Sequence, residues 1–257
     1  YTIPFMLIVT IKSVLFYLKG QEKTWVCGAK CVAALVIAAL AELKFFIVAF
    51  VLVVALAVLF SGINKKHLLA AVVCCGAALA SAVIIGKLFP YFKDWYEIGG
   101  ILEIVTSEYG YTHAGDINRL TAIPTINTLW LTDWSQRLFG MGLGNTDTSS
   151  FAFLNTPFFL ENGEMHYTWV SYAMMYLECG WLGLLFYFGF FGLVFLAAVK
   201  AEKRCEGNAR IYCTLTKVAA PLCCLFAIYN ASLRTEAGYM LYFMLALPFI
   251  VSRTAQK

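Results

Sequence analysis

The chain has 257 residues, 61% of them hydrophobic and 13% charged, with a mean hydropathy of +0.76 and a formal net charge of +4. A soluble domain carries about 25% charged and roughly 45–50% apolar residues, so this composition excludes one. Disorder, a disulfide scaffold, a coiled coil and a nucleic-acid-binding domain go out on the same numbers. The expectation is a polytopic membrane protein folded as an all-α helical bundle. Tyr1 opens inside an apolar run, so the chain is expected to be a piece of a longer protein with further spans upstream.

A bilayer-crossing helix needs about 20 mostly apolar residues. In chain order, the runs that meet or approach this are 1–18, 27–41, 44–62, 67–89, 180–199, 211–232 and 237–252. Three segments follow. Residues 1–89 hold four spans, 90–165 form one long polar loop, and 166–257 hold a short helix and three more spans. The short helix, His166–Cys179, is apolar and aromatic but not long enough to cross. It reads as an interfacial or re-entrant helix that starts at His166 and breaks at Gly180.

Lys and Arg in short loops set orientation. Lys19, Lys23, Lys30, Lys65, Lys66, Lys200, Lys203, Arg204, Arg210, Arg253 and Lys257 all fall on one side when the spans alternate. That side is expected to be the cytoplasm, which puts 90–165 outside. The outward loop carries three basic residues against nine acids, a net of −6, and the remainder of the chain carries +10. The basic balance is therefore a topology signal and not a nucleic-acid footprint.

The loop also holds most of the chemically interesting side chains. Arg119 and Arg137 lie in it, and Arg137 leads into Gly140-Met-Gly142-Leu-Gly144. Residues 119–131 are apolar enough for a helix on the membrane surface, with Trp130 and Trp134 at interfacial depth. A guanidinium donates two parallel hydrogen bonds and keeps its charge, which suits phosphate. The alternative is that Arg119 and Arg137 pair with Asp116 and Asp133. The glycine run is not a dinucleotide fingerprint, since no strand precedes it and Asn145 stands where the third glycine belongs. It reads as a plain turn or as an anion-binding bend. His166 is the candidate general base, with Glu164 to orient it. His113 is a second candidate for contacting substrate. Arg234, in the turn before the last span, and Lys87, at the end of the fourth, face the same side.

Other polar features carry less. Nine cysteines are present, six of them inside apolar runs, and none has structural-zinc spacing. Lys12 and Lys217 fall within spans near the cytoplasmic end, where snorkelling is expected. No internal repeat is visible, which argues against a two-fold-symmetric transporter of lipid-linked oligosaccharides, the rival from another functional class.

Four motifs recur in a familiar order. They read Asp116-Ile-Asn-Arg119, Arg137-Leu-Phe-Gly140-Met-Gly142-Leu-Gly144-Asn145, Glu164-Met-His166-Tyr, and Glu178-Cys-Gly180-Trp-Leu-Gly183-Leu-Leu. Over roughly 65–252 the chain resembles the O-antigen polymerase and O-antigen ligase superfamily. Two departures stand out: Arg137 occupies a position where the family often has Pro, and Tyr167 follows His166, which leans towards a polymerase over a ligase. The resemblance implies a GT-C-like membrane bundle in the bacterial cytoplasmic membrane. It implies an inverting glycosyltransferase that moves glycan from undecaprenyl pyrophosphate to a sugar hydroxyl on the outer side. The alternative acceptor, a lipid A core, would make it a ligase. No metal and no cofactor are implied. The partners implied are the carrier-linked oligosaccharide, membrane lipid and a chain-length regulator protein. His166 and Arg119 would be catalytic, and Arg137, Arg234, Lys87, His113 and Glu164 would bind substrate.

Overall fold

A computed structural model describes residues 2–41, 44–62 and 115–254, together with Val72, Cys74, Gly76, Ala80, Val83 and Lys87, all helical. The described residues are helical with no strand among them. The longer helices are α1 (Thr2–Leu18), α2 (Thr24–Leu40), α3 (Lys44–Ser61), α4 (Ala122–Leu129), α5 (Trp134–Phe139), α6 (Pro157–Asn162), α7 (Ser171–Glu202), α8 (Gly207–Tyr229) and α9 (Ala237–Thr254). Six of the seven apolar runs coincide with α1, α2, α3, α7, α8 and α9. The seventh, 67–89, falls mostly outside the described residues. Two helices, α7 and α8, are long and apolar enough to cross a membrane, and the other apolar helices are shorter.

The chain forms two compact units. The described part of the first comprises α1 to α3, the six isolated helical positions, Phe191–Cys223 and Thr235 onward. Within it α1 packs on α2, α3 and α9. The α3 contribution is a stripe at helical spacing: Phe46, Ala49, Phe50, Val53, Val54 and Ala57 are all buried. Its opposite face leaves Val48 and Leu59 exposed, so α3 is apolar all round. Thr216 Oγ1 donates to the Met244 carbonyl at 2.8 Å and ties α8 to α9.

Lys217 does not snorkel. Its Nζ donates to Glu202 Oε2 at 2.6 Å and lies 5.1 Å from the Phe60 ring centroid. Thr214 Oγ1 donates to Glu202 Oε1 at 3.0 Å, and Arg210 lies within 3.6 Å of the same oxygen. The tight connection between α7 and α8 delivers the carboxylate to the lysine, so pairing replaces escape to water. Lys12 stays exposed and leans over Phe16.

The second unit comprises, among the described residues, Gly115–Phe190 and Cys224–Arg234. Its core joins Ile117, Ile126, Leu131, Tyr167, Tyr176 and Leu177. The predicted surface helix is the shorter α4. Trp130 is partly buried: it packs edge-on against Phe158 at 5.1 Å and Tyr167 at 5.7 Å, and its Nε1 donates to Asn162 Oδ1. Trp134 is exposed. The helix expected to start at His166 starts instead at Ser171, after two 3-10 turns, Gly163–Met165 and Tyr167–Trp169. The break expected at Gly180 is present as a non-helical residue within α7, at φ 62°, ψ −157°.

Glu202→Ala leaves the Lys217 ammonium buried without its carboxylate, which costs about 3 kcal/mol. The melting temperature of the detergent-solubilised protein should fall by several degrees. Glu202→Leu with Lys217→Met should recover most of it. Lys30→Ala, which removes the partly exposed pair with Glu22, should cost under about 1 kcal/mol.

Candidate functional site

The kink at Gly180 organises the second unit. A helix broken there leaves the Leu177 and Glu178 carbonyls without helical donors. The glycine run supplies them: the Met141 amide donates to the Leu177 carbonyl at 2.8 Å and the Gly142 amide to the Glu178 carbonyl at 3.0 Å. Glycine is obligatory at both faces of this contact. A Cβ at Gly140 would stand 2.3 Å from the Glu178 carbonyl carbon, and one at Gly180 would stand 2.5 Å from that of Leu138. Both residues also have positive φ.

The Glu178 side chain is buried and turned to the same run. Its Oε1 accepts from the Gly144 amide at 2.9 Å and from Thr146 Oγ1 at 3.1 Å. The glycine run thus turns the Gly144 amide to a carboxylate of the chain itself, beside the Thr146 hydroxyl. Tyr167 then donates its hydroxyl to the Thr146 carbonyl at 2.7 Å. Burial, with the Asp147 and Glu178 carboxylates nearby, pushes the Tyr167 hydroxyl well above its ordinary pKa. It stays protonated as a donor.

His166 precedes Tyr167 and is the one non-glycine residue with positive φ among the described residues, at 53°. Its Nδ1 lies 2.6 Å from Asp116 Oδ1. Asp116 is delivered by a backbone bridge in which the Ile117 amide donates to the Met165 carbonyl at 2.9 Å. Glu164, the expected orienting group, is exposed, and Asp116 holds the ring in its place. The imidazole also stacks on the Trp169 ring, with centroids 3.9 Å apart. Nδ1 is taken up by Asp116, and the described residues give Nε2 no hydrogen-bond partner.

Arg119 does not pair with Asp116. Its Nε donates to the Tyr229 carbonyl at 2.8 Å at the end of α8, and the guanidinium carbon lies 5.0 Å from the Tyr229 ring centroid. A cation suits a helix C-terminus, where the last carbonyls lack donors. The two terminal nitrogens have no acceptor among the described residues. Arg234 donates through Nη1 to the Thr168 carbonyl at 3.2 Å and through Nη2 to Asp147 Oδ2 at 2.9 Å. Ser171 donates its amide and hydroxyl to the Asn230 carbonyl. These bonds draw residues 116–119, 166–171 and 229–234 into one constellation with Arg119, His166 and Arg234 in it.

Arg137 is placed elsewhere. Its Nε donates to the Leu131 carbonyl at 2.8 Å and its Nη2 to the Asn127 carbonyl at 3.5 Å, closing the turn between α4 and α5. Asp133 caps α5 with Gln136 and forms no ion pair with Arg137. Lys87 is an exposed helical residue of the first unit, and His113 lies outside the described residues. No group of His, Cys, Asp and Glu among the described residues has the arrangement of a metal site. Trp169 was given no role by the sequence, Glu178 stood only within a motif, and Asp116 was offered only as an alternative partner for Arg119. For Glu178 the signal was present, as a single acid inside an apolar run.

Comparison with protein-family models, with curated proteins and with solved structures finds no match to this chain.

Two glycines of one run should respond differently. Gly140→Ala, like Gly180→Ala, places a methyl inside backbone atoms and should abolish accumulation of folded protein. Gly144→Ala has open space and only a left-handed φ of 79° to bear, so it should cost about 1–2 kcal/mol. Expression with thermal melting checks both.

Proposed function

We propose that the protein is a membrane glycosyltransferase of the polysaccharide polymerase type. It transfers glycan from undecaprenyl pyrophosphate to a sugar hydroxyl at the outer face of a bacterial cytoplasmic membrane. The observation that carries this reading is the convergence of the His166–Asp116 pair with Arg119 and Arg234, from three separated segments, in one unit. It is the set of groups that glycosyl transfer from a pyrophosphate needs.

Pyrophosphate leaves without protonation, so the transition state asks for cations where negative charge grows. Arg119, tethered through Nε alone, has its fork free for two phosphate oxygens. Arg234 is a second cation, partly neutralised by Asp147. As the acceptor oxygen bonds to the anomeric carbon, the bond from that carbon to the pyrophosphate oxygen breaks. The hydroxyl proton passes to His166 Nε2, and Asp116 stabilises the imidazolium that forms. Attack opposite the leaving group inverts the configuration.

Two further features support a lipid-linked donor. Only 22% of the most apolar stretch of α7 is buried, and Leu185, Phe186 and Leu193 project from it uncovered. That is the surface of a helix in lipid. A cleft of about 810 Å³ in the same unit is lined by Leu120, Ile123, Leu184, Leu185 and Phe188 with Tyr172. Its apolar wall suits an isoprenoid tail.

In membranes supplied with carrier-linked oligosaccharide, Arg119→Ala and His166→Ala should each slow chain growth by about 100-fold or more. Asp116→Asn should slow it about 10-fold or more, with all three proteins inserted normally. Polymer at wild-type level from Arg119→Ala or His166→Ala would sink the assignment of that residue.

A further inference from the structure

The turn after His166 does more than join it to α7. The Trp169 amide donates to the His166 carbonyl at 3.0 Å, closing the 3-10 turn Tyr167–Trp169. This folds the indole back over the imidazole, with the rings 25° from parallel. Tyr167 and Val170 on either side are buried, yet Trp169 remains 50% exposed. One face of the indole is taken by the imidazole and the rest stays open.

The surroundings of that open surface are polar in a particular way. On one side is the His166–Asp116 pair with Nε2 unengaged. The residue before Trp169 offers the Thr168 carbonyl, which holds Arg234, and Arg234 in turn holds Asp147. Asp147 is 43% exposed and Arg234 23%, so both stay within reach of a ligand. A pyranose has an apolar C–H face and a rim of hydroxyls. It is recognised where a flat, electron-rich ring meets the face while planar donors and acceptors meet the rim. Trp169 supplies the ring, and the carbonyl of the residue before it fixes a guanidinium that carries a carboxylate with it.

We propose that Trp169 is the platform for the acceptor sugar, which lies with its C–H face on the indole, its hydroxyl rim towards Asp147 and Arg234, and its reacting hydroxyl beside His166. The proposal rests on the glycosyl-transfer reading and adds the acceptor subsite to it. The occupant is a neutral or hydroxyl-rich pyranose at the growing end of a glycan.

The test separates binding from transfer. Purified protein in a detergent without a sugar headgroup is applied to an array of bacterial oligosaccharides, alongside Trp169→Ala, Trp169→Leu, Trp169→Phe and Trp134→Ala. Leucine keeps apolar bulk without a flat face, phenylalanine keeps the face, and Trp134, exposed but unstacked, controls for any surface tryptophan. The wild type should bind a subset of glycans. Trp169→Ala and Trp169→Leu should bind them about 10-fold more weakly, Trp169→Phe within about 3-fold, and Trp134→Ala like the wild type. Unchanged binding by the folded Trp169→Leu protein overturns the proposal, as do equal losses from Trp134→Ala or a wild type that binds no glycan. Glycan binding lost in Trp169→Leu while His166→Ala still makes polymer would overturn the transfer role of His166 and leave the subsite standing. The opposite pair of results would overturn the subsite alone.

Discussion

At φ 62° and ψ −157° Gly180 cannot continue a helix, and the two carbonyls it strands must find donors elsewhere. They find them on Met141 and Gly142, and the contact is so close that neither Gly140 nor Gly180 tolerates a side chain. A chain of further bonds starts from this contact. Glu178, two residues before the break, is carried inward and takes the Gly144 amide and the Thr146 hydroxyl. Thr146 in turn receives the Tyr167 hydroxyl, and Tyr167 is the neighbour of His166. A backbone break in an apolar helix is thus connected by successive hydrogen bonds to the residue that follows His166. The Thr146–Glu178 and Tyr167–Thr146 bonds are made out of reach of water, because all three residues are buried.

The polar groups of the constellation share one design. Each is fixed in advance, and Arg119 and His166 are also left open at another part. Arg119 is anchored through Nε and keeps both terminal nitrogens. His166 is anchored through Nδ1 and keeps Nε2. Arg234 is anchored to the Thr168 carbonyl and to Asp147. Fixing a charged side chain in advance removes the entropy and reorganisation otherwise lost when a ligand arrives, which is how preorganised dipoles become effective. The left-handed backbone at His166 belongs to the same scheme. Such a conformation costs about 1–2 kcal/mol in a residue with a Cβ, and strain of this kind persists only where surrounding contacts hold it. Here the contacts are Asp116, the Trp169 stack and the buried Tyr167.

Much of this was legible before any coordinates. The apolar runs mark the helices, because length and hydropathy are local properties. The break at Gly180 was legible from the glycine in an otherwise continuous apolar stretch. The candidates Arg119, His166 and Arg234 were legible as unusual polar residues near apolar segments. Pairing was not. Asp116 was matched in sequence to Arg119, three residues away, and the fold gives it to His166, fifty residues away. Arg137 was matched to phosphate or Asp133, and the fold gives it to two carbonyls of the preceding turn. Lys217 was sent to the membrane surface, and the fold gives it Glu202. Each time the partner was decided by which backbone segments meet, and no spacing rule encodes that.

The sequence by itself determined that the chain is helical and apolar, where its helices break, and which few residues carry charge or a titratable ring. Those follow from composition and from the intrinsic freedom of glycine. Only the tertiary structure decided what each polar group touches: that the glycine run cradles the chain's own Glu178, that Asp116 orients His166, and that Trp169 lies over the imidazole with its outer face open. The reason is physical. A hydrogen bond is set within a few tenths of an ångström, and that precision comes from the packing of distant segments against one another, not from the order of residues along any one of them.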